Sequence, residues 1–380
     1  MRRIVIIGAG ISGTSIAYHL AKAGEQNILV LEKAYLTAGA TGRCGAGIRQ
    51  QWGTEANCVL AKKSIEFFEG AKEELEYDGD IEFKQEGYLI LATTPEEDLL
   101  FDRNVALQNR LGIPTKKCTI EEALKIVPHL NPKAFVSATY CQTDGHLNPF
   151  KMTEAFYLAA EKKGVAFHFF EEVVGIQTGV HPRFTIQTNK QAYECDILID
   201  AAGGYAAEIA KMVNVDIPVY SENHEILVTE PIELMQGPMV MSFSKNLYCQ
   251  QVPHGSFLMG RTTPHQAHGH DISSSWEFLD EMSKTIMDIA PKIGELRVVR
   301  QWGGSYNNSP DKQPILSDVH EVPGFYVACG FSGHGFMFSP MTGSLMASLV
   351  LGTKPEVDMA MFHLDRFQTT QQTSVEQSVV

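Results

Sequence analysis

The sequence predicts an α/β protein with two parts: a Rossmann-like nucleotide-binding domain, discontinuous in sequence, and a second, sheet-based α+β domain for the substrate. Three observations favour this fold class. A buried strand, a glycine turn and a helix open the chain, similar units return twice further on, and strand-like apolar runs lie between them. The chain is therefore expected to return twice to one nucleotide-binding sheet.

The first unit lies in "IVIIGAGISGTSIAYHLAKAGEQNILVLEK". Residues 5–7 predict a buried strand, and Ile16, Ala17 and Leu20 recur at helical spacing after the glycine turn of residues 8–13. Glycine there permits a tight bend, lets the backbone approach a pyrophosphate and allows close helix–strand packing, while the helix N-terminus favours phosphate charge. The unit predicts a dinucleotide site, with a turn used only for packing as the alternative.

An acidic residue follows the second predicted strand. Residues 28–31 are apolar and Glu32 comes next, about twenty residues past the glycines. A carboxylate at this place accepts hydrogen bonds from ribose hydroxyls and disfavours a 2′-phosphate. The first unit thus indicates FAD or NAD without deciding between them.

Composition excludes several classes of partner. At 380 residues the chain exceeds the about 250–300 residues at which single cores stop growing, so two domains are expected. A net charge of −14 repels nucleic acid and anionic membranes, and no apolar run reaches the about 18–20 residues of a membrane span. Because the first strand starts near residue 3, no signal peptide is expected and a cytoplasmic location is predicted. The seven scattered cysteines suggest reduced thiols.

The later units define the predicted domain boundaries. Helical spacing runs from about Glu55 to Leu75, and another helix is expected from Trp276 to Met287. The last unit, "PGFYVACGFSGHGFMFSPMTGSLMASLVLG", predicts a strand, a glycine turn and a helix that begins near Ser339. We assign residues 1–80, 141–216 and 303–366 to the nucleotide domain, residues 81–140 and 217–302 to the substrate domain, and residues 367–380 to a tail.

Three long motifs carry a resemblance to a known family. The runs "GRCGAGIRQQW", "TDGHLNPF" and "GFSGHGFM", together with a nucleotide domain in three blocks, resemble the D-amino-acid-oxidase-like flavoprotein superfamily. Within it the chain is most similar to the sarcosine oxidase and glycine oxidase branch and to the β subunits of multi-subunit dye-linked L-proline dehydrogenases. The resemblance covers nearly the whole chain and implies that the cofactor is FAD.

The resemblance also implies the cofactor residues. The pyrophosphate would contact Gly8, Gly10, Ser12 and Gly13, and the ribose end would contact Glu32 and Lys33. The adenine would contact Val173, and the phosphate region would contact Ala202 and Gly203. The isoalloxazine ring would lie along Arg43, Cys44, Gly45, Gly47 and Ile48, and its pyrimidine edge would face Gly333, His334, Gly335, Phe336 and Met337. A helix N-terminus near Ser339 would favour negative charge at that edge.

Departures from the family narrow the expected chemistry. Gly304 takes the place of the cysteine that is bonded to flavin in monomeric sarcosine oxidase, so non-covalent FAD is expected. Leu258 takes the place of the lysine that promotes reaction with oxygen there, which favours a dehydrogenase. Met337 replaces a lysine that holds the substrate carboxylate in the family, and Arg49 remains of its arginine pair.

The expected substrate residues follow from that comparison. We predict that a substrate carboxylate is held by Arg49 with Tyr248, Tyr306 or His224. The alternatives are a structural ion pair for Arg49 and aromatic core filling for the two tyrosines. No metal site is predicted, because the loop histidines His265, His268 and His270 have no carboxylate or cysteine cluster to complete them.

Together these features predict an FAD-dependent amine or amino-acid dehydrogenase. The resemblance implies hydride transfer from a secondary amino acid such as L-proline or sarcosine to flavin N5, in the β subunit of a hetero-oligomer. An electron-accepting partner subunit is expected because the chain lacks the cysteine spacing of an iron–sulfur cluster, and FMN at the interface is one candidate acceptor. A stand-alone oxidase that uses O2, an NAD-dependent dehydrogenase and a non-catalytic FAD-binding subunit stay open as alternatives.

Overall fold

The structure is a computed structural model that describes residues 2–263 and 268–368. His265 and residues 369–380 of the predicted tail lie outside the described residues.

Short strands alternate with helices along the chain. The strands are β1 (Ile4–Ile7), β2 (Ile28–Leu31), β3 (Gly47–Ile48), β4 (Tyr88–Ala92), β5 (Lys116–Cys118), β6 (Ser137–Cys141), β7 (Gly145–His146), β8 (Ala166–His168), β9 (Val173–Thr178), β10 (Phe184–Thr188), β11 (Ala192–Cys195), β12 (Ile197–Asp200), β13 (Tyr220–Thr229), β14 (Met239–Ser242), β15 (Leu247–Gln251), β16 (Phe257–Arg261), β17 (Val298–Asn308), β18 (Ile315–Asp318) and β19 (Phe325–Cys329).

The helices are α1 (Ile11–Lys22), α2 (Glu55–Glu69), α3 (Ala71–Glu74), α4 (Pro95–Arg110), α5 (Ile120–Ile126), α6 (Pro149–Lys162), α7 (Ala206–Met212), α8 (Trp276–Ile289), α9 (Pro291–Gly294) and α10 (Ser339–Leu351). Short 3-10 helices cover Ala40–Arg43, Gly203–Tyr205, Ala360–Phe362 and Leu364–Phe367.

The first large sheet has the strand order β18-β19-β12-β1-β2-β8. Its strands β19, β12, β1, β2 and β8 pair in parallel, and β18 closes one edge antiparallel. β1 and β12 are buried throughout, which explains their continuous apolar runs. Helices α6 and α10 pack against α1, so the sheet and its glycine turns are covered by helices.

The second large sheet has the order β17-β13-β16-β15-β14-β4-β6-β5. Most of its pairs are antiparallel, and β4 joins β14 in parallel. Helix α8 packs on this sheet through the buried residues Phe278, Met282 and Ile286, which recur at helical spacing, while Trp276 at its start is exposed. The strands of this sheet come from both sequence segments assigned to the substrate domain.

The structure differs from the sequence prediction at two boundaries. The helix expected to run to Leu75 is divided into α2 and α3 at Gly70. The boundary predicted at residues 302/303 falls inside β17, because this strand pairs with β13 without interruption from Arg300 to Asn308. The division into two domains stays a prediction.

All seven cysteines are thiols, and all but the half-buried Cys44 are buried. Within residues 2–263 and 268–368, no helix has the length and apolar character that crossing a membrane requires.

Candidate active site

The first glycine turn joins β1 to α1. Gly8 has a φ of +106°, which glycine adopts without strain, and a Cβ there would collide with the carbonyl of Ala201 at the end of β12. A Cβ at Gly13 would overlap the carbonyl oxygen of Gly8, so this glycine is required for helix–strand packing. Gly10 is the N-cap of α1 and offers no side chain to its free N–H groups. The turn therefore leaves a helix N-terminus without a cap from its own N-cap residue at the carboxyl end of the sheet.

The side chain of Glu32 holds this turn from the end of β2. Its two carboxylate oxygens accept hydrogen bonds from the backbone N–H groups of Ala9 and Ala34, each at 2.9 Å. The backbone N–H of Glu171 donates to the Glu32 carbonyl, and this brings β9 and its first residue Val173 next to the same point. The predicted ribose and adenine residues thus lie together.

The predicted phosphate residues Ala202 and Gly203 follow β12 and lie beside Gly8, whose added Cβ would be 3.2 Å from the Ala202 Cα. Tyr205 is close by in sequence, and the ammonium group of Lys33 lies over its ring, 3.1 Å from the ring centroid. Lys33 therefore contacts an aromatic face at this edge.

Hydrogen bonds attach the segment of residues 43–48 to the second sheet. The Trp302 indole N–H donates to the Arg43 carbonyl at 3.1 Å, and the Gln250 amide donates to the Gly45 carbonyl at 2.7 Å. A Cβ at Gly45 would lie 3.2 Å from Leu258 and 3.4 Å from Tyr248, and one at Gly47 would overlap the Tyr88 hydroxyl. These glycines let the backbone lie flat against the sheet. Burial raises the pKa of the neighbouring Cys44 thiol to about 11, so this thiol is protonated at neutral pH.

The third glycine turn lies opposite this segment and leads into α10. Its Gly333 has a φ of +91°, and a Cβ there would lie 2.7 Å from the Tyr306 ring. Asn307 on β17 accepts from the Ser332 N–H at 2.8 Å and, through its side chain, from the Gly330 N–H at 2.5 Å. Phe338 is the N-cap of α10 and provides no side-chain hydrogen bond, so a second helix N-terminus is uncapped.

His334, Phe336 and Met337 of this turn are buried. Burial, with the nearby charges of Arg49 and Lys312, holds the pKa of His334 well below its usual range. The His334 imidazole is therefore neutral. It contacts the edge of Trp52, with a ring separation of 4.5 Å.

Three predicted substrate residues form one aromatic stack on the second sheet. His224 lies parallel to Tyr306 with centroids 4.1 Å apart and to Tyr248 with centroids 5.6 Å apart. Its Nε2 is 3.1 Å from the Tyr248 hydroxyl and its Nδ1 is 3.2 Å from Thr262 Oγ1. Burial lowers the pKa of His224 to about 3 and raises those of both tyrosines. The stack is thus neutral and ordered by hydrogen bonds.

Arg49 is buried beside this stack. Its guanidinium carbon lies 3.7 Å from the centre of the Trp52 ring and 5.6 Å from that of Phe243, and Nη1 donates to the Gln51 carbonyl at 2.7 Å. The charge of Arg49 lowers the pKa values of Tyr88 and Tyr306, while burial raises both by a larger amount. A buried cation therefore faces the tyrosines of the second sheet.

A small cavity opens on the stack. It has a volume of about 210 Å³ and is lined by Glu222, Asn223, His224, Thr262, Tyr306, Asn308, Lys312 and Ser332. Drug-sized ligands occupy about 300–1,000 Å³, so this cavity fits a smaller molecule. Lys312 lines this cavity, and burial lowers the pKa of its amine.

Several residues of the site escaped sequence analysis. Trp302 and Gln250 hold the segment of residues 43–48, and the buried carboxylate of Asp144 accepts from the Gln50 N–H at 2.8 Å and from the Gln51 amide at 2.9 Å. Thr41 Oγ1 accepts from the first N–H of α1 at 3.1 Å. The motif "TDGHLNPF" contains Asp144, but no periodicity links it to "RQQW", because the contact joins residues almost a hundred positions apart.

The parallel sheet with glycine turns at its carboxyl edge, and the second sheet facing it, define a dinucleotide-dependent oxidoreductase fold. The family described as DAO, FAD dependent oxidoreductase, matches residues 3–349, and this chain belongs to it. The chain is thus an FAD-dependent enzyme of that family, as the motifs predict.

Relatives extend over almost the whole chain. The beta subunit of sarcosine oxidase from Rhodobacter capsulatus is 29% identical over 374 residues, which cover 97% of this chain and 89% of that relative. The crystal structure of L-proline dehydrogenase from P. horikoshii is 36% identical, with a TM-score of 0.91 over 97% of this chain and 98% of that one. Glycine oxidase from Geobacillus kaustophilus has 25% identity and a TM-score of 0.88, over 98% and 100% of the two chains.

Proposed function

We propose that this chain oxidises a small secondary amino acid of the L-proline or sarcosine type, as the catalytic β subunit of a multi-subunit dehydrogenase. The observation that carries the proposal is the likeness to L-proline dehydrogenase, which extends over 97% of this chain at 36% identity. One relative is named as the beta subunit of sarcosine oxidase, and a beta subunit is part of an assembly. This similarity supports the multi-subunit role.

The residues present fit a non-covalent FAD. Two helix N-termini whose N-cap residues, Gly10 and Phe338, provide no side-chain cap present positive partial charge to the pyrophosphate and to the far edge of the ring system. We assign the ribose end to Glu32 and Lys33, the adenine to Val173, and the ring system to residues 43–48, Gly304 and 333–337. When bound, FAD supplies the acceptor for a hydride equivalent from the substrate carbon.

The protein's own task is to hold and orient the amino acid. Arg49, fixed on the Trp52 ring, pairs with the carboxylate, and the His224–Tyr306 stack bounds the place of the amine. The amine binds in its neutral form, because loss of a hydride from the neighbouring carbon requires the nitrogen lone pair. His224 is neutral, and its two ring nitrogens face Tyr248 and Thr262, so it bounds this amine without adding charge. The buried tyrosines keep water from the reacting carbon, and the imine product leaves for hydrolysis.

In this proposal the electrons pass from the reduced flavin to a partner subunit. Leu258, apolar and in contact distance of Gly45, provides no positive charge for reaction with oxygen. An electron-accepting subunit, with FMN at the interface, would provide the exit. Similarity to glycine oxidase supports one second candidate, a stand-alone oxidase of amino acids.

The test is anaerobic reduction of the purified chain by L-proline, sarcosine and glycine, followed by stopped-flow mixing with air-saturated buffer or with an artificial dye. We expect bleaching of the flavin by a secondary amino acid and reoxidation by dye much faster than by air. Equal rates with air and dye would favour the oxidase. A flavin that none of the amino acids reduces would contradict the catalytic role.

A further inference from the structure

Two histidines and two aspartates meet outside the candidate active site. Asp318 ends the edge strand β18 and His320 follows it in the next turn, while His363 and Asp365 lie in the C-terminal segment of residues 358–368. One ligand atom from each of Asp318, His320 and His363 lies within 4.8 Å of the others. Residues separated by more than forty positions therefore present three metal-binding groups to one point.

Asp318 contacts both histidines, through a different carboxylate oxygen for each. Asp318 Oδ1 lies 3.0 Å from His363 Nε2, and Asp318 Oδ2 lies 3.2 Å from His320 Nδ1. Zinc binds nitrogen and carboxylate oxygen at about 2.0–2.2 Å, so two tetrahedral ligands lie roughly 3.3 Å apart. To bind an ion, the three groups would exchange these direct contacts for bonds to one common centre.

Asp365 lies behind both imidazoles. Its Oδ2 is 3.2 Å from His320 Nε2 and 3.5 Å from His363 Nδ1, the ring nitrogens that face away from Asp318. Histidines that bind metals usually donate their second N–H to such a carboxylate, which fixes the ring and raises its basicity. At His320 the arrangement points to the same use. At His363 the Nδ1 accepts from the Asp365 backbone N–H at 3.3 Å, so Nε2 carries the proton that a metal ion would replace.

The hydrogen count at His320 supports a cation. Both of its ring nitrogens face carboxylate oxygens, which only accept hydrogen bonds. A neutral imidazole has one N–H and leaves one nitrogen lone pair opposite a carboxylate oxygen, whereas an imidazolium or a metal-bound imidazole satisfies both carboxylates. A metal ion at Nδ1 removes that repulsion while Nε2–H donates to Asp365.

We propose that Asp318, His320 and His363 bind a divalent transition-metal ion of the zinc type, with Asp365 positioning the two histidines. Two imidazoles with one carboxylate suit zinc, nickel or cobalt better than magnesium or calcium, which prefer oxygen ligands. The ion would join the C-terminal segment to β18, next to the 3.1 Å hydrogen bond from the Leu364 N–H to Ser317 and the buried ion pair of Arg366 with Asp311. Its role is therefore structural.

The experiment uses the tag-free full-length chain, stripped of metal with a chelator and titrated with ZnCl2 by calorimetry and thermal unfolding. We expect one saturable zinc equivalent, a rise in Tm, and slower hydrogen exchange in residues 360–368. MgCl2 should do none of these. His320→Ala and His363→Ala should abolish binding, and Asp365→Asn should weaken it about 10–100-fold, as loss of such a supporting carboxylate does.

His168→Ala is the matched control, since His168 also pairs with a carboxylate, that of Glu171 at 3.4 Å, but has no second histidine beside it. Zinc binding should survive this change. His320 is the most exposed member of the group, so His320→Gln keeps the test interpretable if His363→Ala fails to fold. Absence of saturable binding, or binding that persists in both histidine variants, would overturn the proposal.

Discussion

The rings of His224 and Tyr306 lie 4.1 Å apart with an angle of only 2° between their planes, on the neighbouring strands β13 and β17. The pair forms the wall of the small cavity and continues to Tyr248 through the hydrogen bond at His224 Nε2. Charge is absent from this wall at neutral pH, so it shapes the site by ring faces and hydrogen bonds.

His224→Phe tests that wall. Phenylalanine keeps the stack on Tyr306 but removes one hydrogen-bond partner of the buried Tyr248 hydroxyl, which also bonds Tyr306, at a cost of about 0.5–1.5 kcal/mol. We expect slower flavin reduction by substrate with retained FAD, measured by anaerobic stopped flow. Tyr306→Phe preserves the ring contact and should have a smaller effect. Unchanged reduction in His224→Phe would exclude a role for His224 in orienting the substrate.

Arg49→Met tests the carboxylate site. Loss of a charge-assisted hydrogen bond should raise the KM for L-proline about 10–100-fold with less effect on pyrrolidine, which lacks the carboxylate. Arg49→Lys should recover little, because lysine lacks the planar group that stacks on Trp52. The control is Arg300→Met, since Arg300 contacts Trp302 at 5.6 Å in an exposed position. Equal loss of activity with both amines would assign Arg49 a structural role.

Gly13→Ala and Gly10→Ala separate packing from cofactor binding. The first places a Cβ on the Gly8 carbonyl and should destabilise the fold by about 3 kcal/mol or more. The second meets only Thr41 Oγ1, at 3.1 Å, so the fold should persist while FAD affinity falls. Gly39→Ala, which meets no atom within 4 Å, is the neutral control. Urea unfolding and flavin content measure the two effects, and stoichiometric FAD in Gly10→Ala would contradict the pyrophosphate assignment.

Leu258→Lys tests the exit of the electrons. A cation beside Gly45 should speed reoxidation of the reduced enzyme by air at least about tenfold, because it stabilises the negative charge that develops on oxygen. Leu258→Met is the control for packing. Stopped-flow reoxidation after anaerobic reduction gives the rates, and an unchanged rate in Leu258→Lys would show that residue 258 does not control the acceptor.

Acid should destabilise the fold between about pH 6.5 and 4. Burial lowers the pKa of His19 and of His146 to about 4, and that of His224 to about 3. Their unfolded forms titrate near pH 6.5 and bind more protons below it, so stability is full above this pH and is lost as the pH falls. Asp144 and Asp200 oppose this, since burial raises the pKa of Asp144 to about 6 and that of Asp200 well above its usual range. Burial lowers the pKa of five imidazoles, those of His129 and His334 included, and these outnumber the two carboxyls.

Urea midpoints at pH 7.5, 6, 5 and 4 measure the effect. His19→Gln should flatten the profile, by up to about 3 kcal/mol at the acid end, and the exposed His254→Gln should not. If the urea midpoint of the unaltered chain does not change with pH, these histidine rings are not buried in their neutral form.

Local patterns in the sequence predicted the first sheet well. β2 occupies residues 28–31 and α10 begins at Ser339, as expected, because buried parallel strands and glycine turns leave continuous signals. The helix break at Gly70 and the full length of β17 were not predicted, since both depend on contacts with distant strands.

The candidate site shows the same division. Motifs led to the segments of residues 43–48 and 333–337, but the hydrogen bonds from Trp302 and Gln250 depend on the pairing of distant strands. The pair Asp318 and His320 and the pair His363 and Asp365 each have the residue types of a metal site at spacing two. Only the fold reveals that the two pairs face each other.

Strand β17 has a mechanical consequence. Its pairing with β13 continues from Arg300 to Asn308, and its last residues bond the third glycine turn through Asn307. A hinge requires a short segment whose backbone angles change freely, and a ladder of this length does not bend without breaking its bonds. The third glycine turn should therefore move together with the end of β17 and should not act as a hinge when substrate enters.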